Sequence, residues 1–244
     1  MVKAETLIDE ERIQVAQKTN PIEVYLETGQ TRTFAVALDW PGWCRSGRSE
    51  SAALETLYAY GPRYAQVLRS TQIQFRAPSA AADLDVVERL TGDGTTDFGA
   101  PGQSLPGDAA PVEPGELERW EATLKACWQA FDSAVQAATG QALRKGPRGG
   151  GRELAKIVQH VRDVDIGYLG SLGGKLEPGA GKSPPEQALP EVRRAILAGL
   201  GAAVRGELPA RGPRGGARWK PRYFVRRLAW HELDHAWEIE DRAE

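Results

Sequence analysis

Residues 228–241 read LAWHELDHAWEIED and lie within a pattern that predicts a helix over residues 219–242. His231 and His235 are four residues apart, so a helix places both imidazoles on one face, about one turn from each other. Apolar residues flank the pair at Leu228, Ala229 and Ile239. The stretch therefore predicts a helix that turns two histidines toward a core.

Three further helical patterns precede this one, at residues 116–139, 152–172 and 186–204. Each has apolar residues three and four apart, which is typical of amphipathic helices packed in a bundle. The connection from Gly173 to Pro185 is too long for a tight hairpin and predicts a crossover between the second and third helices. The predicted architecture of residues 115–244 is an all-α four-helix bundle.

The chain has three histidines, and the third, His160, lies near the middle of the second predicted helix. Its neighbours Ile157, Val161 and Val164 show that it lies close to the apolar stripe. Mid-helix positions on different helices of a bundle converge on the core, where every ring nitrogen needs a partner. A divalent metal bound by His160, His231 and His235 satisfies all three rings. Zinc is favoured, with nickel, iron and manganese as alternatives.

The motif His-Glu-x-x-His also occurs in zinc proteases, in which the glutamate is the general base. In the spacing of one protease group, a glycine and then a histidine would stand where this chain has Glu238 and Asp241. Glu232 is the candidate catalytic base, although a residue next to His231 points about 100° away from it on a helix. A contact with solvent or a partner is an equal interpretation, and a protease is the minor alternative.

The segments IVQHVRDVDIGYL (157–169) and LAWHELDHAWEIED resemble the DinB/YfiT-like superfamily of metal-binding four-helix bundles. The resemblance covers roughly residues 115–244 and implies that His160, His231 and His235 hold a divalent cation. It also implies an up-down-down-up bundle that often forms homodimers. Several members of that family are S-transferases or isomerases that use a low-molecular-weight thiol such as bacillithiol, mycothiol or glutathione, and many have no assigned reaction.

The N-terminal part is predicted to be a small α+β domain over residues 1–95, followed by a linker at 96–114. Alternating residues predict two strands within 22–40, and Ser49 begins a helical pattern with a break at Gly61-Pro62. TQIQFRA (71–77) predicts a third strand, and DLDVVERL (83–90) a short helix or strand. The layout of residues 20–70 resembles HicB-like domains. Trp40 and Trp43 are expected to cover the bundle or complete a substrate pocket.

Composition narrows the classes of partner. The net charge is −2 and the isoelectric point about 6.0, so no general attraction to nucleic acid is expected. The first 14 residues lack the apolar core of a signal peptide, and no run approaches the ~20 apolar residues of a membrane helix. The expectation is a cytoplasmic protein that acts on a small molecule and not at a membrane. Cys44 and Cys127 are expected to be buried thiols.

Two hypotheses about function follow. The first is a metal-dependent enzyme that joins a cellular thiol to a small electrophile, or isomerises that electrophile. The second is a non-catalytic binding or regulatory protein whose metal site is structural. In either case Glu238 and Asp163, each three residues from a histidine, are candidates for orienting an imidazole.

Overall fold

The N-terminal half of the chain forms a small mixed sheet. The computed structural model describes residues 21–145, 151–177, 179 and 184–243, so the first 20 residues of the predicted N-terminal domain lie outside it. Its strands are β1 (Ile22–Thr28), β2 (Thr33–Ala37), β3 (Cys44–Gly47) and β4 (Leu84–Thr91). Their order is β3-β2-β1-β4, with β4 parallel to β1 and the other pairs antiparallel. The two strands predicted within 22–40 are confirmed, and DLDVVERL is a strand.

Both faces of the sheet are covered. Val24 and Leu26 point to one face, where they share a core with helices α1 (Glu50–Ala59) and α2 (Gly61–Leu68). Ser49 caps α1 by accepting a hydrogen bond from the Ala52 amide. The opposite face packs against a tryptophan of the last helix and carries Tyr25, Phe34, Val36 and Cys44. The sheet therefore lies between a pair of short helices and the C-terminal helices.

The strand predicted at residues 71–77 is wrong, because this segment is irregular and pairs with no strand among the described residues. Its apolar residues find partners in another way. The Phe75 ring lies 4.7–5.2 Å, between ring centroids, from the rings of Trp40, Trp43 and Tyr64. Packing on this aromatic cluster buries the alternating apolar residues without a sheet.

Four long helices make up the C-terminal half: α4 (Glu116–Ala138), α5 (Leu154–Leu172), α6 (Pro185–Val204) and α7 (Pro221–Arg242). A short helix, α3 (Gly94–Phe98), comes before them. The main helix contacts are α4 with α7, α5 with α6 and α5 with α7. The prediction of an α+β part followed by a helical bundle is confirmed.

The contacts at the helix ends give the directions of the four helices. Glu116 and Arg222, at the starts of α4 and α7, form an ion pair of 2.5 Å, so these two helices run parallel. At opposite ends of α5 and α7, the Trp219 amide donates to the Ser171 carbonyl and the Arg242 guanidinium donates to the Arg152 carbonyl. These two helices are therefore antiparallel.

The remaining pair, α5 and α6, is parallel. Ile157 and Leu189, near their starts, share one apolar cluster, and Leu169 meets Gly199 nearer their ends. Two consecutive parallel helices require a connection that returns along the bundle, as the long segment after Gly173 predicts. The bundle is up-down-down-up.

Residues 96–114, the predicted linker, contact both halves of the chain. Glu27 of β1 is fully buried, and its carboxylate accepts hydrogen bonds from the Thr96 hydroxyl and from the amides of Gly102 and Gln103. Further along, Asp108 is buried against Arg226 of α7, with N–O distances of 2.6 and 2.8 Å. The segment is thus fastened to the sheet at one end and to the bundle at the other.

The close approach of the sheet to α7 depends on a glycine turn. Gly42 follows β2 with a φ angle of +97°, which L side chains rarely adopt. A Cβ atom at this position would lie 2.9 Å from the Leu233 side chain of α7.

Within the described ranges, no helix has the combination of length and apolar character that crossing a membrane requires.

Candidate metal centre

The three histidines meet where α5 crosses α7. His160 lies in the second turn of α5, and His231 and His235 lie one turn apart near the middle of α7. The Nε2 atoms of His160 and His231 are 3.3 Å apart. One ligand nitrogen from each ring can be chosen so that all three lie within 4.8 Å of one another. The structure therefore brings together the three residues predicted from sequence.

The geometry fits a small divalent cation. Zinc–imidazole bonds of 2.0–2.1 Å in a tetrahedral arrangement place two ligand nitrogens about 3.3–3.4 Å apart. The Nε2 atoms of His160 and His231 have this separation. When each ring carries its proton on Nδ1, both Nε2 lone pairs are available to a cation between them. The Nδ1 atom of His231 is buried and has no hydrogen-bond partner within the described chain.

The environment keeps two of these imidazoles neutral. His231 is 5 % exposed, and burial together with the nearby His235 and His160 holds its pKa well below the usual range. Burial and His235 also lower the pKa of His160, which is less deeply buried. A neutral imidazole keeps the lone pair that a metal requires, so these shifts favour coordination at neutral pH.

Glu238 fixes the orientation of His235. Its Oε2 atom lies 2.8 Å from Nδ1 of His235, and its Oε1 atom accepts a hydrogen bond from Arg242. Burial raises the pKa of Glu238, but His235 and Arg242 outweigh burial and lower it, so the group is a carboxylate. With Nδ1 occupied in this way, Nε2 of His235 is the nitrogen left for a metal. Asp163, the other predicted orienting residue, instead pairs with Arg162.

Glu232 lies in a different environment from its neighbour His231. Its side chain is fully buried in the bundle beside Asp165, which is also fully buried. Burial raises the pKa of Glu232, and burial together with Glu232 raises that of Asp165 well above its usual range. Two adjacent buried carboxyl groups resist carrying two charges, which favours a proton on one of them. In the described residues Glu232 has no hydrogen bond with any of the three imidazoles.

Asp165 was missed by the sequence analysis, although the pattern contains a signal for it. It occupies a position of the apolar stripe of α5, four residues after Val161 and four before Leu169. A carboxyl group on such a stripe must meet a polar partner in the core. The partner, Glu232, could not be read from the sequence because it lies on another helix.

Tyr168, Arg227 and Trp230 were also missed, and they form one side of the site. The ring of Tyr168 lies 5.7 Å from that of His231, and the ring of Trp230 lies 6.1 Å from it. The Nε atom of Arg227 donates to the Tyr168 hydroxyl at 3.0 Å, and its guanidinium lies 4.8 Å from the Trp230 ring centre. The site therefore has an aromatic wall with a cation on it.

Comparison with known families gives a match over the helical half of the chain. Residues 123–239 match the family model described as the DinB superfamily, a range that contains all three histidines. No curated protein matches the chain, and no solved structure matches it either.

Proposed function

Because the helical half of this chain belongs to the DinB superfamily, we propose that the protein is a metal-dependent enzyme that uses a low-molecular-weight thiol. Its reaction would be the transfer of that thiol to a small electrophile, or a thiol-assisted isomerisation of the electrophile. The observation that carries the proposal is the convergence of His160, His231 and His235 beside the rings of Tyr168 and Trp230. The resemblance to thiol-using members of the superfamily supplies the reaction class.

The donor set suits zinc, since three imidazole nitrogens are typical of catalytic zinc sites that keep one position open. When bound, such a cation lowers the pKa of a coordinated thiol or water toward neutrality. The chain itself supplies orientation. Glu238 holds His235, and the burial of His231 keeps that imidazole neutral.

The proposal assigns no proton transfer to Glu232. A general base must lie within hydrogen-bonding reach of the proton that it removes. The Glu232 carboxyl group is fully buried beside Asp165, on the part of α7 that faces the bundle interior. The same placement argues against a protease, in which that glutamate would act at the metal. A rise in peptide cleavage after zinc loading would overturn this argument.

Metal binding is the first test. We expect the full chain, stripped by chelation and dialysed against zinc, to retain about one zinc per chain. His160→Ala, His231→Ala and His235→Ala should each lose it, as measured by elemental analysis after gel filtration. Glu238→Gln should weaken zinc binding by about 10–100-fold, because outer partners of ligating histidines commonly have effects of that size. Unchanged zinc content in all three alanine variants would exclude this site.

Thiol chemistry is the second test. The zinc-loaded chain is incubated with glutathione, mycothiol or bacillithiol and a model electrophile. Loss of free thiol reports transfer, and conversion of the electrophile to its isomer at constant thiol reports isomerisation. We expect turnover with at least one thiol in the wild type and none in His231→Ala. Activity that is absent with every thiol, or unchanged in His231→Ala, would contradict the proposal. The alternative is a binding or regulatory protein with a structural metal. The absorption spectrum of the cobalt-substituted protein would indicate this alternative if it showed a closed site of four protein ligands.

A further inference from the structure

The side of the histidine site formed by α7 carries a cation that lacks a carboxylate partner. Three arginines lie close together near the start of α7, namely Arg222, Arg226 and Arg227. Arg222 pairs with Glu116 and Arg226 pairs with Asp108. Within the described ranges, no acidic side chain pairs with Arg227, whose guanidinium donates only to the Tyr168 hydroxyl and the Pro101 carbonyl.

The position of Arg227 brings its charge to the site. It stands one helical turn before His231 on the same helix, and its charge contributes to lowering the pKa of that histidine. The face of Trp230 and the hydroxyl of Tyr168 hold the guanidinium, which leaves its direction fixed. A fixed guanidinium with neutral partners retains its attraction for a carboxylate.

The second cation near the site is Arg152, which lies before the start of α5. Its side chain is exposed, and its charge acts on both His160 and His231. Two acidic groups nearby are already engaged, because Glu238 is bound by His235 and Arg242 and Asp163 is bound by Arg162. Arg227 and Arg152 therefore act on the histidines from opposite ends of the site, since Arg152 lies against Arg242 at the end of α7 and Arg227 precedes His231.

We propose that the molecule bound beside the three histidines carries a carboxylate, and that Arg227 binds this carboxylate while Tyr168 positions Arg227. The inference rests on the proposed function only in that it places the ligand at the same site. It adds the charge class of that ligand and names a residue that selects it. The aromatic rings of Tyr168 and Trp230 suit a planar group next to the carboxylate.

The experiment is calorimetric titration of the zinc-loaded full chain with benzoate and with benzamide, its neutral analogue. We expect wild type to bind benzoate at least about tenfold more tightly than benzamide. The reason is that a hydrogen bond to a charged group is roughly twice as strong as one between neutral groups. Arg227→Gln should remove that preference. Tyr168→Phe should reduce benzoate affinity by about threefold, and Arg227→Lys should keep part of it because the charge stays but the planar fork is lost.

The matched control is Arg194→Gln, which removes one charge from an exposed position of α6 and should leave both affinities unchanged. Zinc content is measured for every variant. If wild type binds no zinc, the proposed metal site fails. If zinc binds but Arg227→Gln binds benzoate and 3-mercaptopropionate as tightly as wild type does, or if wild type prefers neither carboxylate over its neutral analogue, the inference about Arg227 is overturned.

A second pair of ligands identifies the source of the carboxylate. The thiols 3-mercaptopropionate and 2-mercaptoethanol differ in carrying or lacking one. A loss confined to 3-mercaptopropionate in Arg227→Gln would assign the carboxylate to the thiol, and a loss confined to benzoate would assign it to the electrophile. Both results support the inference, whereas equal binding of all carboxylates by wild type and Arg227→Gln contradicts it.

Discussion

At the scale of single residues, His231 and Glu232 show how a helix separates the functions of neighbours. His231 faces α5 and the other histidines, whereas Glu232 faces the bundle interior and meets Asp165. A turn of about 100° between consecutive residues produces this difference. Arg193 also lies near Glu232 and attracts it electrostatically. The Arg193 guanidinium is held by the Asp132 carboxylate, with N–O distances of 2.7 and 2.8 Å.

The buried carboxyl pair predicts how stability depends on pH. Burial raises the pKa of Asp165 above its value in the unfolded chain, and Glu232 raises it further. The unfolded chain therefore releases this proton at lower pH than the folded protein does, so stability is lost as pH rises from about 4 toward the raised value. Asp165→Asn, which stays neutral, should show less loss of stability with rising pH than wild type.

The measurement is the urea midpoint of each protein at several pH values between 5 and 8. Asp163→Asn is the matched control, because Asp163 lies on the same helix with an exposed side chain paired with Arg162. Its pH profile should follow that of wild type. A profile of Asp165→Asn that is parallel to wild type over the whole range would show that Asp165 does not hold a proton in the fold.

The sequence predicted the histidines because the signal was local. The chain has only three, two of them share a helix face, and the third occurs beside a recognisable apolar stripe. Glu238 was predictable for the same reason, since it lies one turn from His235. Arg227 and Asp165 were not, because their importance depends on which residues of other helices lie opposite them, and a one-dimensional pattern contains no such information.

At the scale of elements, the helices were easier to predict than the strands and loops. The predicted helices at 116–139 and 152–172 differ from α4 and α5 by at most two residues. Long amphipathic patterns are determined by many positions at once. The strand predicted at residues 71–77 was wrong because alternating apolar residues are compatible both with a strand and with an irregular segment packed on Trp43.

In the segment 96–114, substitution of Asp108 is expected to destabilise the fold strongly, although its sequence context is typical of an exposed loop. Asp108 lies in a Gly- and Pro-rich stretch but is 3 % exposed and neutralises Arg226, which is 7 % exposed. Asp108→Ala leaves a buried guanidinium unpaired, so we expect a loss of about 3–5 kcal/mol in the free energy of unfolding. Urea denaturation provides the measurement.

Glu50→Ala is the control for Asp108→Ala, since Glu50 pairs with Arg89 on the surface. Exposed pairs contribute at most about 1 kcal/mol, so this variant should remain close to wild type. A loss at Asp108 as small as that at Glu50 would mean that the segment does not fasten the sheet to α7.

At the scale of the whole molecule, the sheet and the bundle share one core. A single cluster of buried residues contains Leu26 of β1, Leu57 of α1, Leu124 of α4 and Leu233 of α7. We therefore expect one cooperative unfolding transition. Hydrogen exchange should give equal opening free energies for the most protected amides of β1 and α4. Two clearly different values would show that the halves unfold separately.

Zinc should raise the stability of this single unit, because only the folded chain brings the three histidines together. At a free zinc concentration of one hundred times the dissociation constant, the gain is about 2.7 kcal/mol. His160→Ala should show no gain in the same titration. An equal rise of the unfolding midpoint in wild type and His160→Ala would mean that zinc binds elsewhere.

The position of α7 in the chain has a consequence for biosynthesis. This helix covers the Tyr25 face of the sheet, packs along α4 and carries two of the three histidines, yet it is the last of the described helices to be translated. His231 follows His160 by 71 residues, which a ribosome adds in about 4–14 s. For that interval the nascent chain exposes an apolar face of the sheet and has His160 without the other two histidines. The three-histidine site and the packing of the sheet on α7 can form only after α7 has emerged.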